Sequence, residues 1–190
     1  PNIDPYEEKY AKNNRYFFDL MIQMISKQIT EKTRYIFNPE TYFASGLGEP
    51  LDDFRNCQLY RDLDSLLQQN PKIQLVSGIQ SFNIYQSEKK PSSTANEMKK
   101  GYWIDFYNSA LKMQSNSQHE FYHKSKLVVG VENMPYKRFF VPILGQFLLD
   151  LGGTVSSRVT QKERTVFKHK TEDLKVGPII CYESIYGAFI

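Results

Sequence analysis

The 190-residue chain carries 24 lysines and arginines against 21 aspartates and glutamates, a net charge of +3, with 41% hydrophobic residues, 10 glycines and 9 prolines. This is a globular composition, which excludes a collagen-like repeat or a disordered tail, and the two cysteines exclude a disulfide-built miniprotein. The basic excess is small and scattered rather than striped, so it gives no footprint for nucleic acid, and no run approaches the roughly 18 apolar residues of a membrane span.

In chain order, Asp4-Pro5-Tyr6-Glu7 reads as a helix start, with Asp4 as cap, Pro5 in the first helical position and Glu7 where a capping-box glutamate belongs. Tyr10, Phe17, Phe18, Met21, Met24, Ile25 and Ile29 recur at helical spacing and predict a helix to about residue 30. Arg34 to Phe37 is a short β-prone run stopped before Pro39. Leu59, Leu63, Leu66 and Leu67 mark a second helix. Ile73 to Tyr85 has strand character with Gly78 inside it. Ser87 to Lys100 is polar and predicts a mobile hairpin loop. Tyr102 to Met113 and Phe121 to Val129 read as strands, and Phe139 to Leu149 as a short helix. Val176 to Cys181 predicts a strand buried on both faces. Helices alternating with strands give an α/β layered fold. The chain begins at Pro1 with neither a methionine nor a signal peptide and reads as a segment excised from a longer protein, one large domain or a domain with a piece missing.

Three places carry residue types suited to chemistry. Glu40, in Asn38-Pro39-Glu40-Thr41-Tyr42, follows a short strand at a loop edge, where a held carboxylate can act as a general base. Taken alone, a loop glutamate is more often a solvated charge. In Tyr122-His123-Lys124-Ser125-Lys126-Leu127, strand alternation puts Tyr122, Lys124 and Lys126 on one face. A lysine there needs a partner, and Glu132 is within reach. The bland alternative is a pair of edge-strand lysines that discourage aggregation. Cys181 ends the apolar run of Gly177-Pro178-Ile179-Ile180-Cys181-Tyr182-Glu183 and precedes a helix start. Free amides and a nearby cation there would lower a thiol's pKa and hold an oxyanion. The alternative is a small buried core cysteine. Cys57 lies in a polar stretch with no such signals and reads as structural.

Each signal is weak by itself, but the order Glu, Lys, Glu, Cys is specific in combination. It resembles the nitrilase (carbon–nitrogen hydrolase) superfamily, and within it the apolipoprotein N-acyltransferase family. The residues that carry the resemblance are Pro39-Glu40-Thr41, Asn108-Ser109-Ala110, Tyr122-x-Lys124-x-x-Leu127-Val128 with Glu132 and Pro135, and Cys181-Tyr182-Glu183. It extends from Pro1-Asn2-Ile3, which looks like the tail of the family's first strand, to the C-terminus. The chain departs from the family where Asn38 stands for the usual tryptophan, and where Lys126 stands for a histidine and leaves two lysines on one face. It also stops nine residues after Cys181, where the family's domain continues with further strands.

The resemblance implies a four-layer α-β-β-α sandwich, with residues 1–190 forming a partial catalytic domain cut short at its C-terminus. It implies Glu40 as general base, Lys124 as oxyanion stabiliser and Cys181 as nucleophile, with Glu132, Tyr182 and Glu183 as accessory residues. No metal or organic cofactor is needed. The implied activity moves an acyl chain from a phospholipid, through a cysteine thioester, to the N-terminal amine of a diacylglyceryl-cysteine lipoprotein. The expected setting is the periplasmic side of the inner membrane, and nucleic acid is not an expected partner. The apolar stretch containing Phe139, Phe140, Phe147 and Leu148 is expected to face the bilayer as an arm or lid, its rival being an amphipathic core helix. Three other readings compete: a soluble nitrilase-type amidase using the same triad, a Cys–His hydrolase using His119 or His123, and a binding domain with a degenerate triad.

Overall fold

A computed structural model describes residues 12–128 and 158–187. The helix start at Asp4, the accessory Glu132 and the arm around Phe139 to Leu149 lie outside these described residues.

The first helix, α1 (Asn14–Ile25), begins at Asn13, whose side chain accepts the Tyr16 amide at 2.9 Å. It stops short of residue 30: past Ser26 the Gln28 and Ile29 amides both return to Ile25 O, at 2.8 and 2.9 Å, and the Thr30 amide donates instead to Thr33 Oγ1 at 2.9 Å. The second helix, α2 (Gln58–Gln69), buries Leu59, Leu63 and Leu67, one face at helical spacing.

The strands β1 (Tyr35–Phe37), β2 (Glu49–Pro50), β3 (Gln74–Gln86), β4 (Asn96–Lys99), β5 (Tyr102–Gln114), β6 (Glu120–His123) and β7 (Arg158–Val159) form one mixed sheet. Its spine is the antiparallel β3–β5 pair, in register from Gln74↔Gln114 to Gln86↔Tyr102. β1 and β2 lie parallel to β3, β4 and β6 antiparallel to β5, and β7 parallel to β5. Strand alternation divides the sheet into two faces. Ile36, Leu75, Ile79, Leu111 and Met113 pack under the helices with Phe17, Met21, Leu63 and Leu67. Val76, Ala110 and Tyr122 pack on the opposite face against Phe167 and Ile180. Phe167 belongs to a separate hairpin, β8 (Phe167–Lys168) and β9 (Lys175–Val176). The architecture is mixed α/β, with a helical layer on one face of the main sheet and a small hairpin on the other. Among the described residues no helix is long and apolar enough to cross a membrane.

Three further sequence expectations are corrected. Residues 87–100 are not loop throughout, because Asn96–Lys99 pairs with β5. The strand expected to reach Val129 ends at His123: the Lys124 amide still donates to Asn108 O at 2.8 Å, but the next amide, Ser125, turns to Glu183 Oε1 at 2.6 Å. The doubly buried strand expected over Val176 to Cys181 is an extended run buried on one side only, with Pro178 and Ile180 inward and Gly177 and Ile179 outward. Pro178 has no amide to give a ladder, and the Ile180 amide is taken by Glu183 Oε2 at 2.7 Å.

The loop that delivers Glu40 depends on a close backbone approach. A Cβ on Gly78 would stand 2.3 Å from Pro39 O, 2.4 Å from the Thr41 nitrogen and 2.6 Å from Glu40 Cα. These are backbone atoms and cannot swing aside. Thr41 already sits at φ 49, a left-handed conformation that disfavours a β-branched residue. Gly78→Ala is therefore expected to push the Glu40 loop off β3, lowering stability by about 2 kcal/mol. Thermal unfolding of the variant beside the parent measures it; an unchanged Tm would mean that the loop does not need this contact.

Candidate functional site

Glu40 and Lys124, 84 positions apart, meet on the sheet face opposite the helices, with Lys124 Nζ 3.4 Å from Glu40 Oε1. The lysine side chain is 1% exposed and the glutamate 34%. A buried ammonium of this kind is retained only with a partner. Asn108 Nδ2 donates to the same oxygen at 2.7 Å, and Asn108 O accepts the Lys124 amide, so one residue of β5 orients both members of the pair. The sequence motif contained Asn108, but nothing in its type or spacing marked it as the partner of Glu40. Alternation along β5 puts it on the face of Ala110, and that was the available signal.

Lys126 separates from Lys124. Because the strand ends at His123, the alternation that placed both lysines on one face does not continue. Lys126 is exposed, with its Nζ 5.7 Å from the centre of the Tyr186 ring.

A cavity of about 250 Å³ opens at Glu40, lined by that loop residue, by Ser77, Gly78 and Ala110 on the main sheet and by Val176 to Ile180 on the other side. Ile180 is the residue before Cys181. Cys181 opens a short 3-10 helix, Cys181–Ile185, with φ 47. A left-handed cysteine is uncommon and costs free energy, as is often found where a side chain is held for function. Its thiol is exposed, and among the described residues its sulfur makes no hydrogen bond to Glu40 or Lys124. The structure thus brings Glu40 and Lys124 into contact and sets Cys181 at the end of the cavity's far wall.

Glu183 is 0% exposed and ties these parts together. Its Oε1 accepts from the Tyr122 hydroxyl at 2.7 Å, the Ser125 amide at 2.6 Å and the Ser125 hydroxyl at 2.9 Å. Its Oε2 takes the Ile180 amide. The lysine segment and the cysteine turn are therefore fastened through one buried carboxylate. Burial pushes the Tyr122 hydroxyl up to about 12, which keeps it a proton donor to Glu183. Tyr182 is partly exposed and packs edge-on to Tyr186 at 5.5 Å.

The other candidates stand apart. His123 lies on β6 beside Lys124, with Nδ1 2.7 Å from Ser109 Oγ, and Ser109 in turn is 3.2 Å from Ser81 Oγ. Burial pushes the His123 imidazole down to about 4, so it is neutral near pH 7. Unfolding raises its pKa to an ordinary histidine value of about 6.5, so the unfolded chain binds the extra proton. Stability should accordingly fall as pH drops from about 6.5 towards 4, with a slope approaching 1.4 kcal/mol per pH unit. Urea unfolding across that range should show this slope, and His123→Phe should reduce it, leaving the part from His119, whose imidazole burial also pushes down. His119 sits among Phe54, Tyr60 and Phe121. Burial pushes the Cys57 thiol up to about 12, with Glu49 beside it adding to the rise, so it stays protonated.

Compared with known proteins, the chain matches no family model and no curated relative.

Proposed function

We propose that the chain is a thiol acyltransferase of the apolipoprotein N-acyltransferase type, built on a nitrilase-like four-layer sandwich and working at the periplasmic face of a membrane. The observation that carries this reading is the contact of Lys124, at 3.4 Å, with Glu40, which lines a cavity whose far wall runs to the residue before Cys181. What supports the sandwich reading is the mixed α/β fold, with helices on one face of the main sheet and the β8–β9 hairpin packed on the other.

In this mechanism Lys124 and Asn108 both engage Glu40 Oε1, and Oε2 accepts the proton of the Cys181 thiol. The thiolate attacks the ester carbonyl of a phospholipid. Lys124 and the Tyr182 amide meet the negative oxygen of the tetrahedral intermediate. The C–O bond breaks, a lysophospholipid leaves with the proton, and a Cys181 thioester remains. The free amine of a diacylglyceryl-cysteine then attacks the thioester carbonyl; an amide forms, the amine gives up a proton, and the thiol is restored. Splitting the transfer in two lets one activated nucleophile serve both halves. Glu132 is the proposed accessory carboxylate.

The test is to incubate the intact protein with a phospholipid bearing a labelled acyl chain and a diacylglyceryl-cysteine peptide. Label on the peptide amine is the expected result. Hydrolysis of simple amides with no transfer would assign the chain to the soluble amidases instead.

A further inference from the structure

We propose that the end of the main sheet formed by the β3 terminus and the β4–β5 hairpin is a contact surface for an anionic phospholipid bilayer. This inference does not depend on the acyl-transfer reading. Four lysines, Lys89, Lys90, Lys99 and Lys100, are exposed at this end. At the same end two large apolar side chains stand open, Ile84 at 48% and Met98 at 50% exposure. The register of β4 on β5 shifts between Glu97 and Lys99. The bulge lets Met98 and Lys99 oppose Tyr102 together, and Lys99 Nζ lies 4.4 Å from the Tyr102 ring centre. Trp103, the next residue on β5, turns to the opposite face of this sheet end, is half-buried there and donates from Nε1 to Ser87 O at 3.0 Å.

Tyrosine and tryptophan with a wet polar edge and an apolar body, beside lysines whose stems are apolar, suit the boundary between headgroups and acyl chains. A protein surface of opposite charge would match the lysines but not the open isoleucine and methionine. The local acids are few: Glu88 in the loop, and Glu97, which pairs with Trp103. The surface is also held in shape. Asp105, buried on β5, accepts from Ser92 Oγ at 2.9 Å and Thr94 Oγ1 at 2.8 Å, and the Ser87 amide donates to Gly101 O at 3.0 Å, so the lysine loop is pinned to the strands.

The chain has one tryptophan, at the β4–β5 end of the sheet, so its fluorescence reports contact at this end. With the full chain, vesicles of phosphatidylcholine containing phosphatidylglycerol should shift Trp103 emission to the blue and sediment the protein at low salt. Phosphatidylcholine alone should do neither. At roughly five-fold in affinity per lysine, Lys99→Glu with Lys100→Glu should weaken binding at least about 20-fold. Met98→Ser should remove the part of binding that survives high salt. Equal binding to neutral vesicles, unchanged binding of the charge-reversed variant, or sedimentation without a Trp103 shift would overturn the proposal. Capture on poly-glutamate as tight as on the anionic vesicles would also overturn it, in favour of an acidic protein partner.

Discussion

Replacing Cys181 by alanine is expected to lower acyl transfer by the intact protein at least about 10³-fold, while Cys57→Ala leaves it unchanged. The reasoning rests on what surrounds each sulfur. Cys181 is exposed at the mouth of a helical turn, in a left-handed backbone, one residue beyond a wall of the cavity that holds Glu40. Removing a covalent nucleophile takes away both half-reactions together, which is why such losses are large and not recovered by neighbouring groups. Cys57 stands between two helical segments with its thiol pushed up to about 12, and a protonated thiol is a poor nucleophile. Initial rates of lipoprotein N-acylation by both variants check the pair. A Cys181→Ala protein that folds and retains its rate would remove the nucleophile assignment.

Glu183→Ala is expected to destabilise the fold by about 4 kcal/mol and to reduce the reactivity of the Cys181 thiol. Its side chain serves as acceptor for Tyr122, Ser125 and Ile180 in a fully buried position. Each stranded buried donor costs about 1–3 kcal/mol, and three elements lose their common anchor. Glu183→Gln separates the two halves of this role. A glutamine oxygen can keep the bonds from Tyr122 and Ser125, while its NH₂ group would face the Ile180 amide, donor against donor. The glutamine variant should therefore hold the lysine segment but free the cysteine turn. Intermediate stability by urea unfolding, with iodoacetamide labelling of Cys181 altered as much as in the alanine variant, is the expected pattern. Equal stability of parent and alanine variant would show that the carboxylate is not the anchor.

The long elements were legible because their patterns are local. Leu59, Leu63 and Leu67 announce α2, and the β-rich runs of β3 and β5 place those strands to within a residue or two. What the sequence concealed was long-range bonding. Nothing near Ser125 says that its amide leaves the strand ladder for a glutamate 58 residues away, which is what ends β6, whereas the Ile180 amide goes to the same glutamate three residues on, at the helix start the sequence does mark. The strand Asn96–Lys99 was hidden for a similar reason: a polar, lysine-rich segment becomes an edge strand only because β5 offers a free side. At the site, the residue types of Glu40 and Lys124 could be read, but the part of Asn108 needed the register. Asn108 and Lys124 share a face, and Gly78 brings the Glu40 loop down onto it.

The most direct measurement is the location of the acyl group on the protein. Intact protein given a labelled phospholipid without acceptor, quenched in acid and digested, should yield one labelled peptide containing Cys181, with the label released by neutral hydroxylamine as a thioester is. Label on any other residue, or transfer to acceptor with no thioester formed at Cys181, would contradict the account.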